Sequence, residues 1–102
     1  MKRAEYFKKI YEIVAHIPYG RVATYGQLAY LAGFPQAPRI AGQALCFAPE
    51  GLPCHRCVNS AGRLAPDFFD QRARLEAEGV AFLPSGKVNL KKHLWDPFLE
   101  EH

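Results

Sequence analysis

Tyr6, Phe7, Ile10, Tyr11, Ile13, Val14 and Ile17 recur at three- and four-residue steps along the start of the chain. That period puts them on one face of a helix, expected over residues 4–16 and ended by Pro18-Tyr19-Gly20. The apolar face reads as core. Thr24 can cap a second helix running to Ala32, where Gly33 stops it, and a third is expected from Ala37 to about Phe47, before Pro49-Glu50-Gly51 turns the chain. Two short helices joined by Gly33-Phe34-Pro35-Gln36 make a helix-turn-helix, in which the second helix can enter a DNA groove while the first braces the backbone.

Further on, the stretch from Cys57 to Leu64 reads as a strand end running into a turn. Asp67 or Asp70 then opens a helix whose apolar face is Phe68, Phe69, Leu75 and Ala77, ending at Gly79. Val80, Phe82 and Pro84, a turn at Ser85-Gly86, then Val88, Leu90, Leu94 and Trp95 suggest a small wing or hairpin followed by a short helix. The pattern predicts one mostly helical α+β domain over residues 1–102, with a winged-helix-like helix-turn-helix unit and no separate N-terminal domain.

Composition narrows the class. With 102 residues and 49% hydrophobic positions the chain can bury a core without disulfides, metal or cofactor. Three cysteines, an odd number, argue against a disulfide framework and fit a reducing compartment. Cys46 reads as a core residue. The N-terminus leads into an amphipathic helix rather than an apolar signal region, so a cytoplasmic monomer with no membrane partner is expected. A net charge of +3 and a pI near 8.9 permit phosphate binding without demonstrating it. Arg21, Arg63, Lys91 and Lys92 are candidate phosphate contacts, with a solvated face equally open for each; His16, His93 and His102 read as surface residues.

The sharpest chemical signal is Pro53-Cys54-His55-Arg56, which sets a potential nucleophile beside a potential base on a backbone stiffened by proline. The thiolate is the reactive form of cysteine, and its proton must go somewhere. On an extended strand, however, adjacent side chains would point to opposite faces. Cys54 and Cys57 also form C-x-x-C. A thioredoxin-like dithiol would need a helix at this point, and the turn residues Asn59-Ser60-Ala61-Gly62 argue against one. A zinc site from Cys46, Cys54, His55 and Cys57 lacks the paired ligand spacing, so no metal is expected. A Cys54–Cys57 bridge under oxidation stays open.

Taken with Ile17-Pro18-Tyr19-Gly20-Arg21-Val22-Ala23-Thr24-Tyr25-Gly26-Gln27-Leu28-Ala29 and Ala37-Pro38-Arg39-Ile40-Ala41-Gly42-Gln43-Ala44-Leu45, this motif resembles the C-terminal domain of the O6-alkylguanine-DNA alkyltransferases and their alkyltransferase-like relatives, over roughly residues 4–97. The resemblance implies that duplex DNA is bound in the minor groove and that a damaged guanine is flipped into a pocket beside Cys54. It further implies that Cys54 accepts the alkyl group in a single turnover while His55 takes the thiol proton through a bound water. Arg56 is then structural. Tyr25 would press on the phosphate beside the lesion and Arg39 would fill the vacated space. Ala41, Gly42 and Ala44 would allow close approach, with Gln27 joining the DNA-facing set. Such a scheme is physically sound, since a stacked base cannot be attacked and a wedge offsets the cost of extrusion.

Two departures are expected to weaken the nucleophile. The family glutamate that orients the histidine aligns with Lys92, and an Asn-Pro before the active-site strand is replaced by Ala48-Pro49. The second half of the chain resembles the alkyltransferase-like branch, whose members bind O6-alkylguanine without repairing it and present it to nucleotide excision repair. Transfer to Cys54 and non-enzymatic lesion sensing are therefore both expected outcomes of this sequence, with DNA-binding regulation as a third.

Overall fold

The computed structural model describes residues 2–99. Helix α1, Arg3–Val14, buries Tyr6, Ile10 and Val14, and its continuation through Ile17 tightens into single-turn bonds, His16 N–H to Ile13 and Ile17 N–H to Val14. Strand β1, Ala23–Thr24, runs straight into α2, Tyr25–Leu31. Thr24 and Gln27 form a capping box: the Gln27 N–H donates to Thr24 Oγ1 at 3.1 Å, and the Thr24 N–H to Gln27 Oε1 at 3.2 Å. Helix α3, Pro38–Cys46, carries proline in its first turn, where no amide partner is lost. After a 3₁₀ turn at Cys54–Arg56 come strand β2, Cys57–Val58, then α4, Gln71–Ala77, and α5, Leu90–His93.

Strands β1 and β2 pair in parallel, Ala23 with Cys57 and Thr24 with Val58. On the other side of this chain segment, the Val22 N–H donates to His93 O and the Trp95 N–H to Val22 O at 2.7 Å. Alternation along the extended backbone then divides the interior in two. Ala23 and Cys57 face a cluster built from α1, α2, α3 and Trp95, whereas Val22 and Val58 face Leu75, Val80 and Val88. The expected hairpin is present as an antiparallel bridge between Phe82 and Val88.

Gly62 fastens that hairpin to the strand. Its carbonyl accepts from the Val88 N–H at 2.9 Å, its φ is +89°, and a Cβ there would sit 2.8 Å from Val88 O. Gly62→Ala should cost about 2 kcal/mol or more, from the left-handed backbone and the clash together. Urea unfolding of the two proteins checks this, and equal midpoints would contradict it.

Three expectations are corrected. Cys46 is exposed, on the outer side of α3, because Ala41 and Ala44 take the inward face. Helix α4 is only two turns long and buries Gln71 and Leu75, so Phe69 (97% exposed) and Ala77 point to solvent. Asp70 stands at the N-cap of α4 and so opens the helix as expected, although its carboxylate bonds no amide there and pairs with Arg74. His93 is buried rather than superficial: Nε2 accepts from the Ala81 N–H at 3.0 Å, leaving Nδ1–H to donate to Gly20 O at 3.2 Å. It joins the turn after α1 to the hairpin. His16 is exposed, as expected, and His102 lies outside the described residues.

Candidate active site and nucleic-acid interface

Cys54 and His55 do not lie on a strand. The Arg56 N–H bonds back to Pro53 O at 3.0 Å, and the Cys57 N–H bonds back to Cys54 O, winding the motif into one 3₁₀ turn. Three residues per turn send successive side chains in three directions rather than two. Cys54 lines a pocket of about 1010 Å³, His55 reaches Glu78, and Arg56 reaches the same carboxylate. Cys57, entering β2, is buried. Both thiols are free, and burial pushes each above its ordinary pKa, with the neighbouring Cys54 adding to the effect at Cys57 and Arg56 opposing it. Cys54 therefore rests as the thiol, and its use as a nucleophile needs a base.

Glu78 supplies what orients that base. Its Oε2 lies 2.6 Å from His55 Nε2, and the Arg56 guanidinium forks onto it, Nε to Oε1 at 3.0 Å and Nη2 to Oε2 at 2.9 Å. The Gly20 N–H adds a further bond to Oε1 at 2.8 Å. Burial alone would raise the carboxyl pKa; the hydrogen bonds from Arg56, Gly20 and His55, with the Arg56 charge, overcome it and hold the group at about 2. Such a carboxylate is too weak a base to take a proton from the imidazole and acts by fixing its tautomer. Nε2–H donates to Glu78, which leaves the lone pair on Nδ1. Nδ1 is buried and has no hydrogen-bond partner among the described residues.

This overturns the assignment of the supporting position to Lys92, which is exposed and contributes its backbone carbonyl to Arg21. Glu78 sits where α4 ends, just before Gly79 at φ +80°. The sequence did carry a signal, a glutamate followed by glycine at the end of an amphipathic helix. Beyond its fork onto Glu78, Arg56 donates from Nη1 to Ile17 O at 2.8 Å.

The pocket lies between the helix-turn-helix and the loop before α4. Tyr25, Arg39, Gly42 and Gln43 line one side, Cys54 and Cys57 contribute from the motif, and Ala65 to Phe68 form the other wall. Gln71, fully buried, ties that wall to the motif. Its Oε1 accepts from the Ala65 N–H at 2.8 Å, and its Nε2 donates to His55 O at 3.0 Å and Cys57 O at 2.8 Å. Gln71→Leu leaves three backbone groups without this partner and should cost at least about 2 kcal/mol. A chemical denaturation midpoint equal to wild type would refute it.

The expected DNA-facing residues divide. Tyr25 is half-buried, and its ring lies 3.9 Å from where a Cβ on Gly42 would sit, an ordinary contact distance. Arg39 is exposed in the first turn of α3 and makes no hydrogen bond or ion pair with any described residue. Gln27 has its amide engaged within the fold, Oε1 in the capping box and Nε2 donating to Trp95 O at 2.6 Å. Ala41 and Ala44 are fully buried and pack inward, so the small residue on the open face is Gly42. Glu78, Gln71 and the wall at residues 65–68 are not among the site residues that the sequence suggests. Among the described residues no group of histidines, cysteines and carboxylates is arranged to hold a metal.

Comparison with known proteins gives consistent matches. The family model described as "6-O-methylguanine DNA methyltransferase, DNA binding domain" matches residues 5–80. The chain is 43% identical to the DNA base-flipping protein of Escherichia coli, covering 93% of this chain and 78% of that one. It is 37% identical to alkyltransferase-like protein 1 of Schizosaccharomyces pombe, covering 95% and 100%. The crystal structure of the Schizosaccharomyces pombe protein in complex with damaged DNA containing O6-carboxymethylguanine superposes with a TM-score of 0.84 at 35% identity, over 95% of this chain and all of that one. A Mycobacterium tuberculosis O6-methylguanine methyltransferase family structure in complex with DNA gives a TM-score of 0.68 at 32% identity, over 72% and 48%.

Proposed function

Since this chain belongs to the family of the 6-O-methylguanine DNA methyltransferase DNA-binding domains, we propose that it binds duplex DNA carrying O6-alkylguanine, flips the damaged base into the pocket beside Cys54, and moves the alkyl group to Cys54. The observation that carries this reading is the junction of three parts. A pocket lined by the helix-turn-helix contains a cysteine, and the adjacent histidine is oriented by an ionised carboxylate. Arg39, exposed and without an ion-pair partner among the described residues, is the residue to fill the space left by the base, and Tyr25 the one to press on the adjoining phosphate.

The chemistry balances without a cofactor. The Cys54 thiol gives its proton to His55 Nδ1 through a bridging water, and the sulfur attacks the alkyl carbon. A sulfur–carbon bond forms as the carbon–O6 bond breaks. The departing guanine takes the proton back from the imidazolium, and Glu78 stays ionised throughout. Cys54 ends as a thioether, so each molecule acts once.

A second reading is favoured by one observation: burial raises the Cys54 pKa, which slows thiolate formation. On that reading the protein is a lesion sensor that passes O6-alkylguanine to nucleotide excision repair, as a cytoplasmic monomer. Both readings require lesion-selective binding. Competition between duplexes containing O6-methylguanine and guanine at matched salt should favour the lesion by about tenfold or more. Equal affinities would leave only a DNA-binding regulator.

A further inference from the structure

Two formal charges line the pocket among the described residues, Arg39 on α3 and Asp67 on the opposite wall. The Asp67 carboxylate has no hydrogen-bond or ion-pair partner among the described residues, so it is not held by the fold. The backbone that presents it is held. The Phe68 N–H bonds to Ala65 O at 3.2 Å and the Gln71 N–H to Phe68 O at 3.0 Å, closing a turn around Asp67. Arg74 lies 5.7 Å over the Phe68 ring. Gln71 ties the Ala65 amide to the carbonyls of His55 and Cys57, so the wall and the Cys54 turn keep one spacing.

We infer that Asp67 makes the pocket select O6 substituents by charge, admitting neutral and cationic ones and disfavouring anionic ones. The inference rests on the base-flipping reading. With O6 directed at Cys54, a substituent longer than methyl extends into the space that the 65–68 wall shares with Cys54. Once Arg39 engages the duplex, Asp67 is the formal charge left beside that substituent. Pro66 and Phe68 flank the exposed carboxylate at the rim of the pocket, where salt screens its field in part, so the discrimination is expected to be moderate and salt-dependent. The Schizosaccharomyces pombe protein was crystallised on O6-carboxymethylguanine DNA; for this chain, that anionic lesion is expected to rank below O6-methylguanine.

The test is competitive fluorescence anisotropy with four duplexes, carrying guanine, O6-methylguanine, O6-carboxymethylguanine and O6-(2-aminoethyl)guanine. Cys54→Ala protein is used so that binding is read without transfer. The expected order is aminoethyl over methyl over carboxymethyl, each step about three- to tenfold at 0.1 M salt and smaller at higher salt. Asp67→Asn should bring carboxymethyl and aminoethyl level, and Asp67→Lys should reverse them; Asp67 is exposed, so both variants should fold. Carboxymethyl binding as tight as methyl, or an order that survives Asp67→Asn, would overturn the inference while lesion binding stands. Equal affinity for all four duplexes would overturn the base-flipping reading as well.

Discussion

Glu78→Ala should lower stability by about 3 kcal/mol at pH 7, and that loss should shrink as the pH falls from about 4.5 towards 2. The carboxylate is 8% exposed, and its removal strands the Arg56 guanidinium, itself only 16% exposed, with Ile17 O as its remaining hydrogen-bond partner among the described residues. The sign follows from the depressed pKa. A carboxyl held at about 2 in the fold, against 4.5 when unperturbed, contributes its full stabilisation above 4.5 and loses it as the folded form protonates near 2. A depression of that size corresponds to roughly 3 kcal/mol. Urea unfolding of both proteins at pH 7 and pH 3 reads the difference directly. An unchanged gap between the two pH values would show that Glu78 acts by packing rather than by charge.

Arg39→Ala should reduce affinity for an O6-methylguanine duplex by about tenfold to a hundredfold, with a smaller effect on an unmodified duplex. The inequality is the informative part. An arginine that fills the space of an extruded base contributes only once the base has left the stack, whereas one that only neutralises phosphate would weaken both duplexes alike and lower the salt slope by about one. Arg39 is exposed and makes no hydrogen bond or ion pair with any described residue, so the change should leave unfolding nearly unaltered. Equal losses on both duplexes would remove it from base flipping and leave it as a phosphate contact.

Much of the architecture is local and was legible for that reason. The apolar period of α1, the Thr24 cap with Gln27 three residues later, and the glycine after α2 each act within one or two turns. What was not legible depends on distant partners. His93 has no local pattern, because its partners are Gly20 and Ala81. Gln71 reads as an ordinary helix-start residue until the backbone of residues 55–65 is brought over it. Cys46 could satisfy a helical period on either side of α3, and the fold chose Ala41 and Ala44 for the interior.

The site shows the same division. Cys54, His55, Tyr25 and Arg39 could be read from contiguous motifs, although the turn that separates the first two side chains could not. Local similarity to the family pattern puts the orienting position at Lys92, in the stretch Leu90-Lys91-Lys92-His93-Leu94. Position in space decides it: Glu78 meets His55 and Arg56 across 22 or 23 residues of sequence. With that carboxylate present, one of the two reasons for a weakened nucleophile disappears. The Ala48-Pro49 departure stands, and burial of the thiol is added to it, opposed by an imidazole whose tautomer is set for proton acceptance.

Transfer to Cys54 is read most directly from intact-protein mass after incubation with a duplex carrying one O6-methylguanine, with Cys54→Ala alongside and complex formation followed on the same samples. A stoichiometric gain of about 14 Da is expected in the wild-type protein and none in the variant, while both bind the lesion. A wild-type protein saturated with the lesion duplex and unchanged in mass would contradict Cys54 as the acceptor.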